Sequence, residues 1–182
     1  QQYSYVPHTA HLVNPSQIYI GENVVIEPGA YIKGPCYIGD ESQIRHGAYL
    51  RGNVIIGKNC VVGHDTEVKN SILLNKAQAA HFAYEGDCIL GYKVNLGAGV
   101  KCANLKLNHS LITIQHEGES FLTKLKKFGA IIGDEAQLGC NCVTNPGTLI
   151  GKKSFIYPCV NVGGVIPSNS KVKSLSKVEI IS

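Results

Sequence analysis

Aliphatic residues recur at every sixth position along most of this chain, and glycine, asparagine or another small or polar residue often follows them. Neither the 3.6-residue period of an α-helix nor the two-residue alternation of a strand produces this spacing. A six-residue period predicts a parallel β-helix, in which each hexad supplies one short strand and one turn. The repeat occupies Ile20, Ile26, Ile32, Ile38, Ile44, Leu50, Ile56, Val62, Val68 and Leu74, then Leu90 and Leu96, then Ile132, Leu138, Ile150, Ile156 and Val162.

Three hexads close one triangular coil, and stacked coils bury a continuous aliphatic column that a single coil could not form. Small residues such as Ala30, Ala48 and Cys60 precede the aliphatic position by two, where the corners of the coil are crowded. A β-sandwich is the alternative, but its strands vary in length and spacing, whereas these hexads keep their phase. The fold class we predict is therefore all-β, a parallel β-helix with one long protruding loop.

The regular repeat divides the chain into a lead-in segment (1–17), a β-helix (18–167) and a C-terminal tail (168–182) that we expect to cap the last coil with Val178–Ile181. The phase slips between Leu74 and Leu90. The pattern stops over 103–128, which is rich in polar and charged residues, and then resumes in phase. We interpret 103–128 as an excursion loop, because long loops inside a compact fold are usually functional or disordered.

Composition excludes several classes of function. The net charge is only +4 and the lysines are spread out, so we expect no nucleic-acid surface. No apolar run is long enough to span a bilayer, and no secretory signal is visible. Most of the seven cysteines fall at small-residue positions, which favours buried thiols in a reducing cytoplasm over disulfides.

The phase slip contains the residues best suited to chemistry. A regular solenoid presents repetitive walls, and a site needs a departure from them. His81 and Tyr84 lie three residues apart in this slip. A neutral imidazole is a good general base near neutral pH, although a lone histidine is more often a simple wall residue.

Four segments carry a family resemblance: 68–71 (VKNS), 80–87 (AHFAYEGD), 91–99 (GYKVNLGAG) and 102–104 (CAN). They resemble the acetyltransferase domain of the bifunctional bacterial enzyme that makes UDP-N-acetylglucosamine, and the spacing matches without gaps from Arg51 to Asn104. More loosely, 18–167 resembles related sugar-1-phosphate nucleotidylyltransferase-like proteins. The resemblance implies a left-handed coil and a homotrimer. The Gly-x-Gly-Thr-Arg loop of a nucleotidylyltransferase is not visible in this sequence.

The resemblance also implies roles for individual residues. It makes His81 the general base that deprotonates the amine of an amino-sugar phosphate, with acetyl-CoA as co-substrate and no metal. Asn104 would lie near the amine and the oxyanion. The basic side chains of Arg51 and Lys69 would hold the sugar phosphate, since arginine offers a bidentate fork and lysine a point charge. The remaining implied residues are Tyr84 and Asn95 at the sugar, and Ala98, Cys140 and Lys152 at the acyl donor.

Three positions depart from the family pattern. Leu105 stands where the family has a tyrosine, Gly129 where it has a lysine, and Cys140 where it has a serine. Lys126 or Lys127 could replace the missing lysine. The sugar-phosphate end of the site keeps its residues, whereas the acceptor and the acyl donor are less well defined by the sequence.

Two other functions are compatible with a β-helix. A γ-type carbonic anhydrase needs three zinc-ligating histidines, two of them five residues apart, and no such pair occurs here. A non-catalytic module that trimerises or regulates a UDP-N-acetylglucosamine pyrophosphorylase-related protein is the stronger alternative. We therefore expect an acetyltransferase acting on an amino-sugar phosphate or nucleotide sugar, with the module as the competing hypothesis.

Overall fold

The computed structural model describes residues 4–174, and nearly all of its regular elements are short strands. A single 3-10 turn spans Pro15–Gln17. The strands up to the excursion are β1 (His11–Val13), β2 (Ile18–Ile20), β3 (Val25–Ile26), β4 (Tyr31–Lys33), β5 (Cys36–Ile38), β6 (Gln43–Ile44), β7 (Tyr49–Leu50), β8 (Val54–Ile56), β9 (Val61–His64), β10 (Glu67–Lys69), β11 (Ser71–Leu73), β12 (Gln78–His81), β13 (Tyr84–Gly86), β14 (Ile89–Leu90), β15 (Asn95–Leu96) and β16 (Lys101–Cys102). The excursion holds β17 (Thr113–His116) and β18 (Glu119–Leu122), and the later coils hold β19 (Ala130–Ile132), β20 (Gln137–Leu138), β21 (Val143–Thr144), β22 (Thr148–Ile150), β23 (Phe155–Ile156), β24 (Asn161–Val162), β25 (Val165–Ile166) and β26 (Lys171–Val172).

Twenty-four of these strands form three parallel sheets of eight strands each, one sheet for each side of a triangular coil. Sheet A runs β1-β4-β7-β10-β13-β16-β21-β24, sheet B runs β2-β5-β8-β11-β14-β19-β22-β25, and sheet C runs β3-β6-β9-β12-β15-β20-β23-β26. The chain passes from A to B to C and back to A, which defines an A–B, a B–C and a C–A corner. The predicted left-handed parallel β-helix with one protruding loop is confirmed.

The predicted aliphatic column fills the interior of the coils. Ile32, Ile38, Ile44, Leu50, Ile56, Val62 and Val68 are fully buried, as are the small residues Ala30, Ala48, Cys60 and Thr66 at the corners. The prediction for Leu74 is wrong: Leu74 is 45% exposed, and its neighbour Leu73 is the buried residue. The reason is that the side from Val68 to Leu73 has five residues instead of six.

The phase slip is a stack of shortened coils. Val61 pairs with Gln78, and Glu67 with Tyr84, each seventeen residues further on, whereas Gln43 pairs with Val61 at the regular spacing of eighteen. With Leu73 as reference, the interior positions continue through Ala79 and Glu85 to Leu90, and all are buried. A carboxylic acid thus occupies a position of the aliphatic column.

Side chains at the B–C corner bind the backbone of the preceding coil. The Asp40 Oδ1 accepts a hydrogen bond from the Glu22 N–H (3.0 Å), and the Asn75 Oδ1 accepts one from the Lys58 N–H (2.9 Å). Asp134 does the same with the Tyr92 N–H. Short acceptor side chains therefore satisfy turn amides that the sheets leave unpaired.

The excursion leaves after β16 in sheet A and returns at β19 in sheet B. Its strands β17 and β18 pair antiparallel as a hairpin. Ile112 is fully buried, and its Cγ2 lies where a Cβ on Gly147 would stand, so this side chain anchors the excursion on the next coil. The prediction that Val178–Ile181 caps the last coil concerns residues outside the described range.

Candidate functional site

Sheet A presents two basic side chains on successive coils. Leu50 pairs with Val68, so Arg51 and Lys69 follow these strand residues at the same edge of the sheet. An ion pair joins the Arg51 Nη1 to the Glu67 Oε1 (2.6 Å), and the guanidinium lies 5.7 Å from the centre of the Tyr49 ring. Both partners of the ion pair are partly exposed, so a bound anion can still reach the arginine.

Lys69 belongs to a more buried cluster at the A–B corner. Its Nζ donates to the Asp87 Oδ2 (3.0 Å), and their side chains are only 18% and 12% exposed. The same Oδ2 accepts a hydrogen bond from the Asn104 Nδ2, while the Oδ1 accepts one from the Asn70 Nδ2 (2.7 Å). The carboxylate of Asp87 therefore binds three side chains from the two coils on either side of its own.

The Tyr84 hydroxyl approaches this cluster through the space that the missing side chain of Gly86 leaves open. Lys69 pairs with Gly86 in sheet A, and a Cβ on Gly86 would lie 2.6 Å from both the Tyr84 hydroxyl oxygen and the Asn104 Nδ2. Burial raises the pKa of the Tyr84 phenol. The hydroxyl thus stays protonated at neutral pH and can donate a hydrogen bond.

His81 ends a strand of sheet C at the C–A corner, which lies at the opposite end of the sheet A strands from this cluster. It ends β12, its side chain is exposed, and its carbonyl accepts a hydrogen bond from the Gly99 N–H (3.0 Å). The residues of this corner stack along the coils: the rings of His46 and His64 are 5.7 Å apart, and Phe82 packs edge-on against His64 at 5.4 Å. Within residues 4–174 the ring of His81 makes no hydrogen bond, which leaves both nitrogens accessible.

The other predicted residues lie on sheet C or at its corners. Asn95 pairs with Gln78 and Gln137 on the outer face, where a groove of about 630 Å³ contains all three. Ala98 and Cys140 lie on successive coils at the C–A corner, where the Asn141 N–H donates to the Ala98 carbonyl (2.8 Å). A smaller groove of about 400 Å³ includes both Asn95 and Cys140.

Lys152 lies apart from these residues. It follows β22 at the B–C corner, is largely exposed, and forms an ion pair with the Asp134 Oδ2 (3.0 Å). The width of sheet C separates it from Ala98 and Cys140. The chain therefore brings Lys69, Tyr84 and Asn104 together, with Arg51 on the preceding coil of the same sheet, but it does not bring Lys152 to the other two predicted donor residues.

Three members of the sheet A cluster were not predicted from the sequence: Glu67, Asn70 and Asp87. Glu67 and Asp87 contact the predicted residues Arg51 and Lys69 of the preceding coil, and Asn70 contacts Asp87. All three are polar residues near the end of a strand, but only the register between coils shows which partners they meet. Among the described residues, no three His, Cys, Asp or Glu side chains form a group that could hold a metal ion. No helix found in the described range is suited to crossing a bilayer.

Comparison with known families supports the repeat assignment. Residues 32–119 match the model of the GMPPB C-terminal domain, and residues 129–156 match the model of the hexapeptide repeat of succinyl-transferase. The first match includes the whole sheet A cluster. The second begins where the excursion rejoins the coils.

Curated relatives are similar over part of the chain. A bifunctional sugar-1-phosphate nucleotidylyltransferase/acetyltransferase of Sulfurisphaera tokodaii is 35% identical over 78 residues, covering 43% of this chain and 20% of that protein. The bifunctional protein GlmU of Methanococcus maripaludis is 34% identical over 99 residues, covering 54% of this chain and 24% of that protein. The chain thus spans about a fifth of the length of these relatives, and the predicted resemblance is confirmed.

Solved structures share the fold at low identity. The acetyltransferase domain of PglB from Neisseria gonorrhoeae, in complex with acetyl coenzyme A, superposes with a TM-score of 0.55 at 18% identity over 70% of this chain and 52% of that one. PerB from Caulobacter crescentus, in complex with CoA and GDP-perosamine, gives a TM-score of 0.54 at 14% identity over 80% of this chain and 90% of that one. At these identities the likeness concerns the fold.

Proposed function

We propose that this hexapeptide-repeat β-helix, which is related in sequence to the sugar-1-phosphate nucleotidylyltransferase/acetyltransferases, transfers an acetyl group from acetyl-CoA to the amine of an amino-sugar phosphate. The observation that carries the proposal is the cluster of Lys69, Tyr84 and Asn104, with Arg51 on the preceding coil, on a wall that meets an exposed histidine at its opposite corner. Two cations, two neutral donors and a base are the groups that this transfer requires.

The acceptor binds to the two basic side chains through the negative charge of its phosphate group. A phosphate carries negative charge that Arg51 can meet with a planar fork and Lys69 with its ammonium. Glu67 already pairs with Arg51, so a bound phosphate must compete with this carboxylate for the guanidinium. Tyr84 and Asn95 supply neutral hydrogen-bonding groups suited to the hydroxyls of a sugar ring.

The reaction is direct acyl transfer. His81 takes a proton from the ammonium of the acceptor, and the free amine attacks the thioester carbonyl carbon. The tetrahedral oxyanion then collapses and expels the CoA thiolate, which takes up the second proton that the attacking nitrogen loses, while the first proton passes from His81 to solvent. Asn104 provides an amide near the amine and the oxyanion. Ala98, Cys140 and Lys152 line the donor side, and the distance between corners leads us to propose a homotrimer in which neighbouring protomers complete the site.

The test is a coupled measurement of CoA thiol release with glucosamine-1-phosphate as acceptor. A general base contributes about 100-fold or more to the rate, so His81→Ala should lower kcat by at least that factor. His46→Ala, which removes another ring from the same corner, is the matched control and should leave kcat unchanged. No transfer to any amino-sugar phosphate, together with no binding of CoA by calorimetry, would contradict the proposal.

A non-catalytic module is the second candidate, and one observation favours it. Both cations of the proposed phosphate site already have carboxylate partners, Glu67 and Asp87. In that case the cluster would stabilise stacked coils instead of binding an anion. A chain that assembles into trimers yet neither binds CoA nor transfers acetyl groups would support this reading.

A further inference from the structure

The Asp87 carboxylate is the centre of the sheet A cluster. Its Oδ2 accepts hydrogen bonds from the Lys69 ammonium (3.0 Å) and from the Asn104 amide, and its Oδ1 accepts one from Asn70 (2.7 Å). Asn104 is itself buried, with 8% exposure. Two of the three donors, Lys69 and Asn104, are groups that the proposed reaction uses.

The backbone of Asp87 connects the same cluster to the returning end of the excursion. The Asp87 N–H donates to the Lys69 carbonyl (3.1 Å), and the Asp87 carbonyl accepts from the Gly129 N–H (2.9 Å) where the excursion returns. Nearby, the Phe128 N–H donates to the Asn104 carbonyl (2.9 Å). Hydrogen bonds to neighbouring coils therefore hold the backbone of Asp87, so its carboxylate can hold the side chains that it contacts.

The contacts suit a carboxylate that remains charged. Burial by itself would raise the pKa of Asp87, but hydrogen bonds from Asn70, Lys69 and Asn104 lower it below its ordinary value. A lysine side chain has many rotamers, and a single charged partner selects among them. The ammonium has three donors, so the bond to Asp87 leaves two for an anion.

We propose that Asp87 is a positioning residue of the transfer site, where its carboxylate holds the Lys69 ammonium and the Asn104 amide in the arrangement that meets the acceptor. This proposal rests on the proposed function. Asp87 touches neither the acceptor nor the acetyl group; it acts through Lys69 and Asn104. This positioning role also explains why Lys69, which is expected to bind phosphate, forms an ion pair with Asp87.

The kinetic test compares Asp87→Asn with the wild-type protein. The variant should raise the KM for glucosamine-1-phosphate about tenfold or more and lower kcat about tenfold, because hydrogen bonds to charged groups are strong. The KM for acetyl-CoA should not change. Asp40→Asn is the matched control, because Asp40 also binds one lysine, Lys58 (2.7 Å), and one backbone amide, but at the B–C corner.

A double-mutant cycle separates positioning from a general loss of stability. If Asp87 acts through Lys69, then Asp87→Asn should have little further effect on the acceptor KM in a Lys69→Met background. Equal effects in both backgrounds, or wild-type kcat and KM for Asp87→Asn once the folded fraction is measured by thermal unfolding, would overturn the proposal.

A crystal structure of the Asp87→Asn variant provides a readout that does not depend on activity. We expect the Lys69 Nζ and the Asn104 Nδ2 to move away from their wild-type positions by about 1 Å or more, a displacement that can strongly reduce a rate. Unmoved side chains would overturn the positioning role. If the wild-type protein transfers no acetyl group, the proposed function fails, and this structure alone decides the role of Asp87.

Discussion

Among single residues, Gly86 leaves the space that the ends of Tyr84 and Asn104 occupy on the proposed acceptor wall. Its neighbours Tyr84 and Asn104 occupy the volume that a side chain would fill. Gly86→Ala should push the ends of these two side chains aside while the coil persists. We expect an acceptor KM about tenfold higher with a nearly unchanged Tm, measured by steady-state kinetics and thermal unfolding. An unchanged KM would contradict the role of this gap.

Single residues also show which parts of the candidate site could be predicted from the sequence. His81, Arg51 and Lys69 could be selected from their chemistry and from a family resemblance, and these assignments remain predictions. The role of Asp87 could not be found in that way, because its partners Lys69 and Asn104 are seventeen or eighteen residues distant. A contact across stacked coils depends on register, and local pattern does not encode register when the coil length changes.

At the level of the strand, β13 contains a buried acid. Glu85 is fully buried between Val68 and Cys102 of the neighbouring strands, and neither carboxylate oxygen has a hydrogen-bond partner among the described residues. Burial raises the pKa of Glu85 well above its ordinary value. The folded protein therefore keeps Glu85 neutral under conditions in which the unfolded chain ionises.

The burial of Glu85 determines the direction in which the stability of the fold changes with pH. The folded state binds the proton more tightly, so the contribution of Glu85 favours folding below the unfolded pKa of about 4.3 and is lost as pH rises towards the folded pKa. Glu85→Leu should abolish this slope and raise the free energy of unfolding at pH 8 by about 1–3 kcal/mol. Urea unfolding of both proteins between pH 5 and 8 tests this. Parallel stability curves would count against it.

Across the whole molecule, the coil interior determines which cysteines are buried and which are exposed. All seven are free: Cys140 and Cys159 are exposed, and the other five are buried. Burial raises the pKa of Cys36 to about 12 and that of Cys60 to about 11, so these thiols are also poorly ionised. A thiol reagent should modify two cysteines quickly in the native protein and all seven after unfolding.

Saturating CoA extends this prediction to the proposed donor side. Bound CoA should slow the reaction of Cys140, which mass spectrometry of the labelled peptides can measure. More than two fast thiols in the native protein would contradict the burial of the column. Equal rates with and without CoA would argue against Cys140 as a donor-side residue.

The sequence by itself determined the architecture. A six-residue period favours a coil with three sides that turn their aliphatic positions inward, so the three parallel sheets follow from the spacing of residues such as Ile32, Ile38 and Ile44. The tertiary structure alone decided where that spacing shortens. Leu73 and Leu74 are equally apolar neighbours, and only the pairing of seventeen-residue coils places Leu73 inside, buries Glu85, and brings Lys69, Asp87 and Asn104 together. The physical reason is that a regular period determines which residues face the interior only while the coil length stays constant, whereas a shortened side changes both the inward face and the contacts between coils.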